Sequence, residues 1–174
     1  MRWKIINRQR IIKMETELRR KQVSLVTLGT GVILFGTWSV LRAVLFLSTE
    51  PLFAVESEAP LFAILIVKVI VYSFLGLLLL VSFWLRFYIG HNARLEGMGG
   101  KPKKFYPILA AILFLVNAAI SPFSLYYAFT KGLGEQSRVE FMVSFFVDLT
   151  STILLADLLF TVRHLRRLRA QAER

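Results

Sequence analysis

Cysteine is absent from this 174-residue chain. Its absence excludes disulfides, thiolate metal sites, cysteine nucleophiles and thiol-linked redox chemistry. Histidine is almost absent: His91 and His164 are the two present, and no metal-ligand spacing joins them to Asp157. No Ser-His-Asp pattern, paired-carboxylate motif or zinc signature is found, so the chain reads as non-enzymatic, with no cofactor and no metal. Nucleotide loops are missing too. Gly97, Gly99 and Gly100 precede Lys101, but Pro102 follows and the phosphate-loop spacing is wrong, which makes this stretch a flexible connector. Gly29 and Gly31 lie inside an apolar run. Gly29, Gly36 and Ala43 recur every seven residues, the spacing of a close helix-packing face.

Apolar residues are what the chain has in excess, at 56% of the total, against roughly 45–50% in average globular proteins. They concentrate in four runs, Val23–Ser48, Leu61–Leu85, Phe105–Thr130 and Val139–Val162, each of 24 to 26 residues. About 20 residues of helix cross ~30 Å of hydrocarbon. The expected fold is an all-α, four-transmembrane-helix bundle with an N-terminal basic interfacial helix. Residues 1–22 form that helix, 23–163 the membrane domain with spans near 23–48, 61–88, 105–130 and 139–163, and 164–174 a basic tail. The first run follows a basic segment of 22 residues and has no small-residue cleavage site after it, so it reads as a retained span.

Charge gives the expected topology. Of 22 Lys and Arg residues, 18 lie in the N-terminal segment, the second loop and the tail. Only Lys131 and Arg138 lie in the loops on the opposite side, and the first loop instead holds Glu50, Glu56 and Glu58. The positive-inside rule puts the basic side, with both termini, in the cytoplasm of a cell membrane. The formal charge of +11 is then a topological signal, and no nucleic-acid partner is expected. Bias this strong also disfavours dual insertion, so any homo-oligomer should be parallel and cyclic. Trp84, Phe87, Tyr88, Phe105 and Tyr106 mark one interface, and Phe62, Tyr126, Tyr127 and Phe129 the other.

The N-terminal segment places Trp3, Ile11, Met14 and Leu18 on one stripe, with favourable Glu15–Arg19 and Glu17–Lys21 pairs at i,i+4. A helix lying along the cytoplasmic leaflet and attracted to anionic lipids is expected.

Four charges lie within the spans: Arg42, Lys68, Asp148 and Asp157. Each costs about 2.5–3.5 kcal/mol at mid-span and calls for a partner or a cavity. Counted from the run ends at 1.5 Å per residue, Arg42, Lys68 and Asp148 fall roughly 9–13 Å below the outer boundary, and an intramembrane charge cluster of these three is expected. Arg42 and Lys68 could alternatively snorkel toward Glu50, Glu56 or Glu58. Asp148 and Asp157 lie on opposite faces of the fourth helix. One polar stripe holds Ser144, Asp148, Ser151 and Thr152. The other holds Thr150, Asp157, Thr161 and His164, with Arg86 as a candidate partner for Asp157. A helix polar on two sides points to an oligomer or a membrane-protein partner.

The third span carries Asn117 and Ser121 beside Pro122, a pattern that in transporters lines a cavity; Ser144, Ser151 and Thr152 would complete that lining. Two functions therefore stand open. The first is a membrane subunit or interaction protein that uses intramembrane charge pairing. The alternative is a small channel or transporter whose polar site (Arg42, Lys68, Asp148, Asn117) takes an anion or a proton-coupled solute.

Overall fold

A computed structural model describes the backbone of residues 2–49, 61–130 and 135–172, and most of the side chains within them. These residues form four helices: α1 (Arg2–Thr49), α2 (Leu61–Gly97), α3 (Phe105–Thr130) and α4 (Glu135–Ala172). All four contain a stretch long and apolar enough to cross a membrane, which fits a multi-pass membrane protein. The acidic first loop, residues 50–60, and residues 131–134 of the third lie outside the described residues.

Three of the helices outrun the expected spans. α1 has 48 residues, α2 has 37 and α4 has 38, where about 20 suffice for crossing. The N-terminal basic segment continues α1 without a break. It is therefore the extension of the first span and not a separate helix turned across it. Strong helix formers such as Arg, Lys, Gln and Glu fill residues 8–22 with no Gly or Pro, so nothing in the sequence ends the helix there. α2 likewise runs on to Gly97, and the tail is helical to Ala172. Pro122 is accommodated within α3.

α1 packs along α2 and α4, α3 packs along α4, and α2 meets α3 only briefly. α2 and α4 thus occupy opposite corners. The seam between α1 and α2 is built on small residues. A Cβ at Gly29 would stand 2.7 Å from the Gly90 carbonyl oxygen, and one at Gly90 would stand 2.5 Å from that of Gly29. Gly97 meets the Gln22 carbonyl oxygen in the same way, at 2.8 Å. Such backbone approach supplies the dispersion contacts that hold helices together where lipid is as apolar as leucine.

The fully buried residues gather toward one end: Leu25, Ile89, Tyr106, Ala110, Leu158 and Leu165. This is the end that carries most of the lysines and arginines, and it is called the basic end below. Away from it, α2 exposes Leu65, Val69, Ile70, Phe74, Leu77 and Leu80, and none of its most apolar stretch is buried.

Candidate functional site

Polar groups collect at three levels of the bundle. At the basic end, Glu96 is 1% exposed. Its carboxylate accepts two hydrogen bonds from Arg166, Nε to Oε1 at 2.9 Å and Nη2 to Oε2 at 2.8 Å, and a third from the Tyr106 hydroxyl at 2.7 Å. Arg166 Nη2 also donates to the Lys103 carbonyl at 2.7 Å, and its guanidinium carbon lies 5.8 Å from the Tyr106 ring centroid. Arg169, one turn on, donates to the Glu96 backbone carbonyl at 2.8 Å. A buried carboxylate is tolerable only with such compensation, and the bidentate guanidinium fork is the geometry that supplies it.

The connector after α2 is correspondingly fixed. Gly99 adopts φ +93°, the left-handed conformation that glycine tolerates. Gly100 donates to the Leu95 carbonyl and Gly99 to that of Glu96, the paired bonds of a Schellman cap. The glycines expected to make a flexible connector instead close the helix, and the Lys103 carbonyl beyond them accepts from Arg166.

At mid-bundle, Arg86 is 8% exposed. Its side chain lies against Gly36, whose Cβ would stand 3.0 Å from the Arg86 Cβ, and its Nη1 donates to Ser39 Oγ at 2.8 Å. Arg86 is ten residues from Glu96, about 15 Å of helix rise, half of a ~30 Å hydrocarbon core. Asp148 sits within electrostatic reach of Arg42 and Arg86. The contacts of Gly36 with Arg86 and of Gly31 with Leu154 fix the register that brings these groups together. Arg86 Nε has no hydrogen-bond partner, and no ion pair under 4 Å joins Asp148 to either arginine. Among the described residues, Glu96–Arg166 is the one such pair.

The mid-bundle group differs from the expected one. Arg86 stands by Asp148, where the sequence suggested Asp157. Lys68 stands apart: continuing the register from Gly36–Arg86 places Arg42 near the level of Leu80, about 18 Å along α2 from Lys68. Counting depth from the ends of the apolar runs misplaced Lys68, because α2 extends beyond the end of α1. Its alternative partners Glu50, Glu56 and Glu58 lie outside the described residues.

The residues expected to line a cavity are mostly buried. Ser121, Ser144, Ser151 and Thr152 are buried, and Asn117 is half-buried on the α3 edge that carries Tyr106, Ala110 and Leu113. Thr152 returns its hydroxyl to the Asp148 carbonyl, the local bond that satisfies threonine in a helix. Asn117 Nδ2 and Ser121 Oγ have no partner. A shallow groove lies elsewhere, at the basic end, between Gln22, Val26, Gly97 and Met98.

The third level belongs to Asp157. It lies nine residues before Arg166, about 13 Å of rise, on the exposed side of α4. Thr150 and His164 are exposed with it, whereas Thr161, expected on the same face, is buried at 6%. The Asp157 carboxylate makes no hydrogen bond or ion pair among the described residues.

Sequence reasoning missed Glu96 altogether and read Tyr106, Arg166 and Arg169 as an interface aromatic and topological charges. The available signal was the single acidic residue in a basic loop, followed by the Gly99-Gly100 stop. In comparisons with family models, curated proteins and solved structures, nothing matches this chain.

Proposed function

We propose that this chain is a non-enzymatic subunit or interaction protein of a cell membrane, with both termini cytoplasmic and the basic end facing anionic lipids. The observation that carries the reading is Asp157, an exposed carboxylate within an apolar helix and without a partner among the described residues. Facing lipid, such a group costs about 2.5–3.5 kcal/mol. The neighbouring polar residues do not relieve it, since Arg86 is committed to Ser39 and Arg166 to Glu96. A partner helix that offers a cation or a hydrogen-bond donor at this depth removes the cost, so binding is favoured by the penalty of being alone. Orientation rests on the basic residues of the N-terminal segment, the second connector and the tail, gathered on one side.

The test is a photoreactive residue at Ile153, one turn from Asp157, in full-length protein in its native membrane. A discrete protein adduct that is lost in Asp157→Asn supports the reading. Labelling of lipid alone, or an adduct indifferent to Asp157, contradicts it.

The second reading, an anion or proton-coupled transporter, draws on the mid-bundle group of Arg42, Arg86 and Asp148, which gather without touching. Solute flux in proteoliposomes that vanishes in Asp148→Asn would favour it.

A further inference from the structure

Two exposed helix stripes share one spacing. On α2, Leu77, Leu80, Trp84, Phe87 and His91 are exposed at intervals of three, four, three and four residues. On α4, Val143, Phe146, Thr150, Ile153 and Asp157 are exposed at the same intervals. That alternation is the period of a left-handed helix–helix seam. Each stripe is apolar for most of its length and ends, toward the basic end, in one ionisable residue: His91 on α2 and Asp157 on α4.

The two residues also lie within one helical turn of each other in depth. Gly90 packs on Gly29 and Ile33, and Gly31, between them in sequence, meets Leu154. His91 is therefore level with Leu154, and Asp157 follows three residues later, within one turn. α2 and α4 run in the same direction, out from opposite corners of the bundle. Both stripes are exposed, so they do not meet within one chain. His91 stacks on Phe87, with 5.9 Å between ring centroids and 6° between planes, and makes no hydrogen bond among the described residues.

We propose that the α4 stripe of one copy docks on the α2 stripe of a second copy in the same orientation, with Asp157 accepting a hydrogen bond from His91 of its neighbour. This rests on the reading of Asp157 as a partner-seeking group and names the partner as this chain itself. The occupant is argued from complementarity. The surface that carries an acid and the surface that carries a base, each without a hydrogen-bond partner among the described residues, match in residue spacing and direction, and in depth to within one turn. Because the two surfaces differ, the contact is heterologous, and repetition generates a ring where the rotation closes. A paired imidazole and carboxylate remove two polar groups from lipid at once, which is the gain that drives polar association between membrane helices.

The chain has no cysteine, so engineered disulfides form without background. Phe87→Cys is placed in one tagged copy and Ile153→Cys in a differently tagged copy, which leaves His91 and Asp157 intact. Oxidation with copper phenanthroline in native membranes is expected to give a covalent dimer carrying both tags. Its yield should fall at least fivefold when Asp157→Ala or His91→Ala is added. A yield no higher than that of Leu34→Cys with Ile153→Cys overturns the proposal, because Leu34 is exposed on α1, away from both stripes. So does a yield that ignores both alanine substitutions. If the disulfide fails while the Ile153 photoprobe still captures a different protein in an Asp157-dependent way, the second-copy inference falls and the reading of Asp157 survives. If both fail, both fall.

Discussion

Glu96 and Asp157 are carboxylates in the same bundle, and their surroundings differ in every respect. Glu96 is 1% exposed, and both of its oxygens are hydrogen-bonded by Arg166, with Tyr106 added on one of them. Asp157 is exposed on α4 and makes no hydrogen bond or ion pair among the described residues. Around Glu96, all four helices contribute buried side chains. Away from the basic end, α2 leans on α1 and leaves its apolar side uncovered. The contrast separates two uses of polar chemistry in an apolar medium. One acid is spent internally to fasten α2, α3 and α4 together, and the other is left at the surface for association. Farther from the basic end than either acid lies the Arg86–Asp148 level, where no ion pair under 4 Å forms among the described residues.

The largest expected effect comes from opening the fastened end. Glu96→Ala leaves Arg166 partly buried and unpaired, and removing one member of a buried pair costs about 3–5 kcal/mol. A thermal unfolding scan in detergent should show the largest fall in midpoint of any single substitution here. An unchanged midpoint would mean that the contact does not hold the helices. Gly90→Leu should come next, at about 1–3 kcal/mol, because its side chain would enter the space held by the Gly29 carbonyl and Ile33. The unfolding midpoint in the same thermal scan should fall by less than in Glu96→Ala, and an unchanged midpoint would mean that the seam tolerates a side chain there. Tyr106→Phe removes one of three hydrogen bonds to Glu96 and keeps the ring, so a loss of about 0.5–1.5 kcal/mol is expected by denaturant titration. A loss as large as that of Glu96→Ala would show that the hydroxyl, and not Arg166, is the principal compensation.

The smallest effect on the isolated fold should come from the other acid. Asp157→Asn should move stability by no more than about 0.5 kcal/mol, as for exposed positions without a partner. A marked destabilisation would place Asp157 inside the fold and remove the contrast with Glu96.

What the sequence makes legible is whatever depends on one helix at a time. Each of the four apolar runs lies within one of the four helices, and the seven-residue spacing of Gly29 and Gly36 marks the face on which α2 packs. Relations between helices are harder to read. The grouping of Arg86 with Asp148 follows from the α1–α2 and α1–α4 registers, which Gly36 and Gly31 set by close contact. No count of residues from a span end supplies those registers. Lys68 shows the consequence, since equal depth was inferred from helix ends that are not level. Glu96 was hidden for a different reason: in a loop of five basic residues, one acid reads as noise until Arg166, seventy residues away, is brought against it. The extension of α1 through the basic segment was legible in principle, because nothing between Arg8 and Gln22 stops a helix.

The central claim is that the bundle keeps Glu96 for itself and offers Asp157 to a partner. It is tested most directly by the yield of the Ile153 photoadduct in Asp157→Asn protein whose unfolding midpoint matches that of the unmodified chain. A loss of about tenfold or more, equivalent to about 1.4 kcal/mol of binding, is the predicted result. An undiminished adduct in a protein that is equally stable would contradict it.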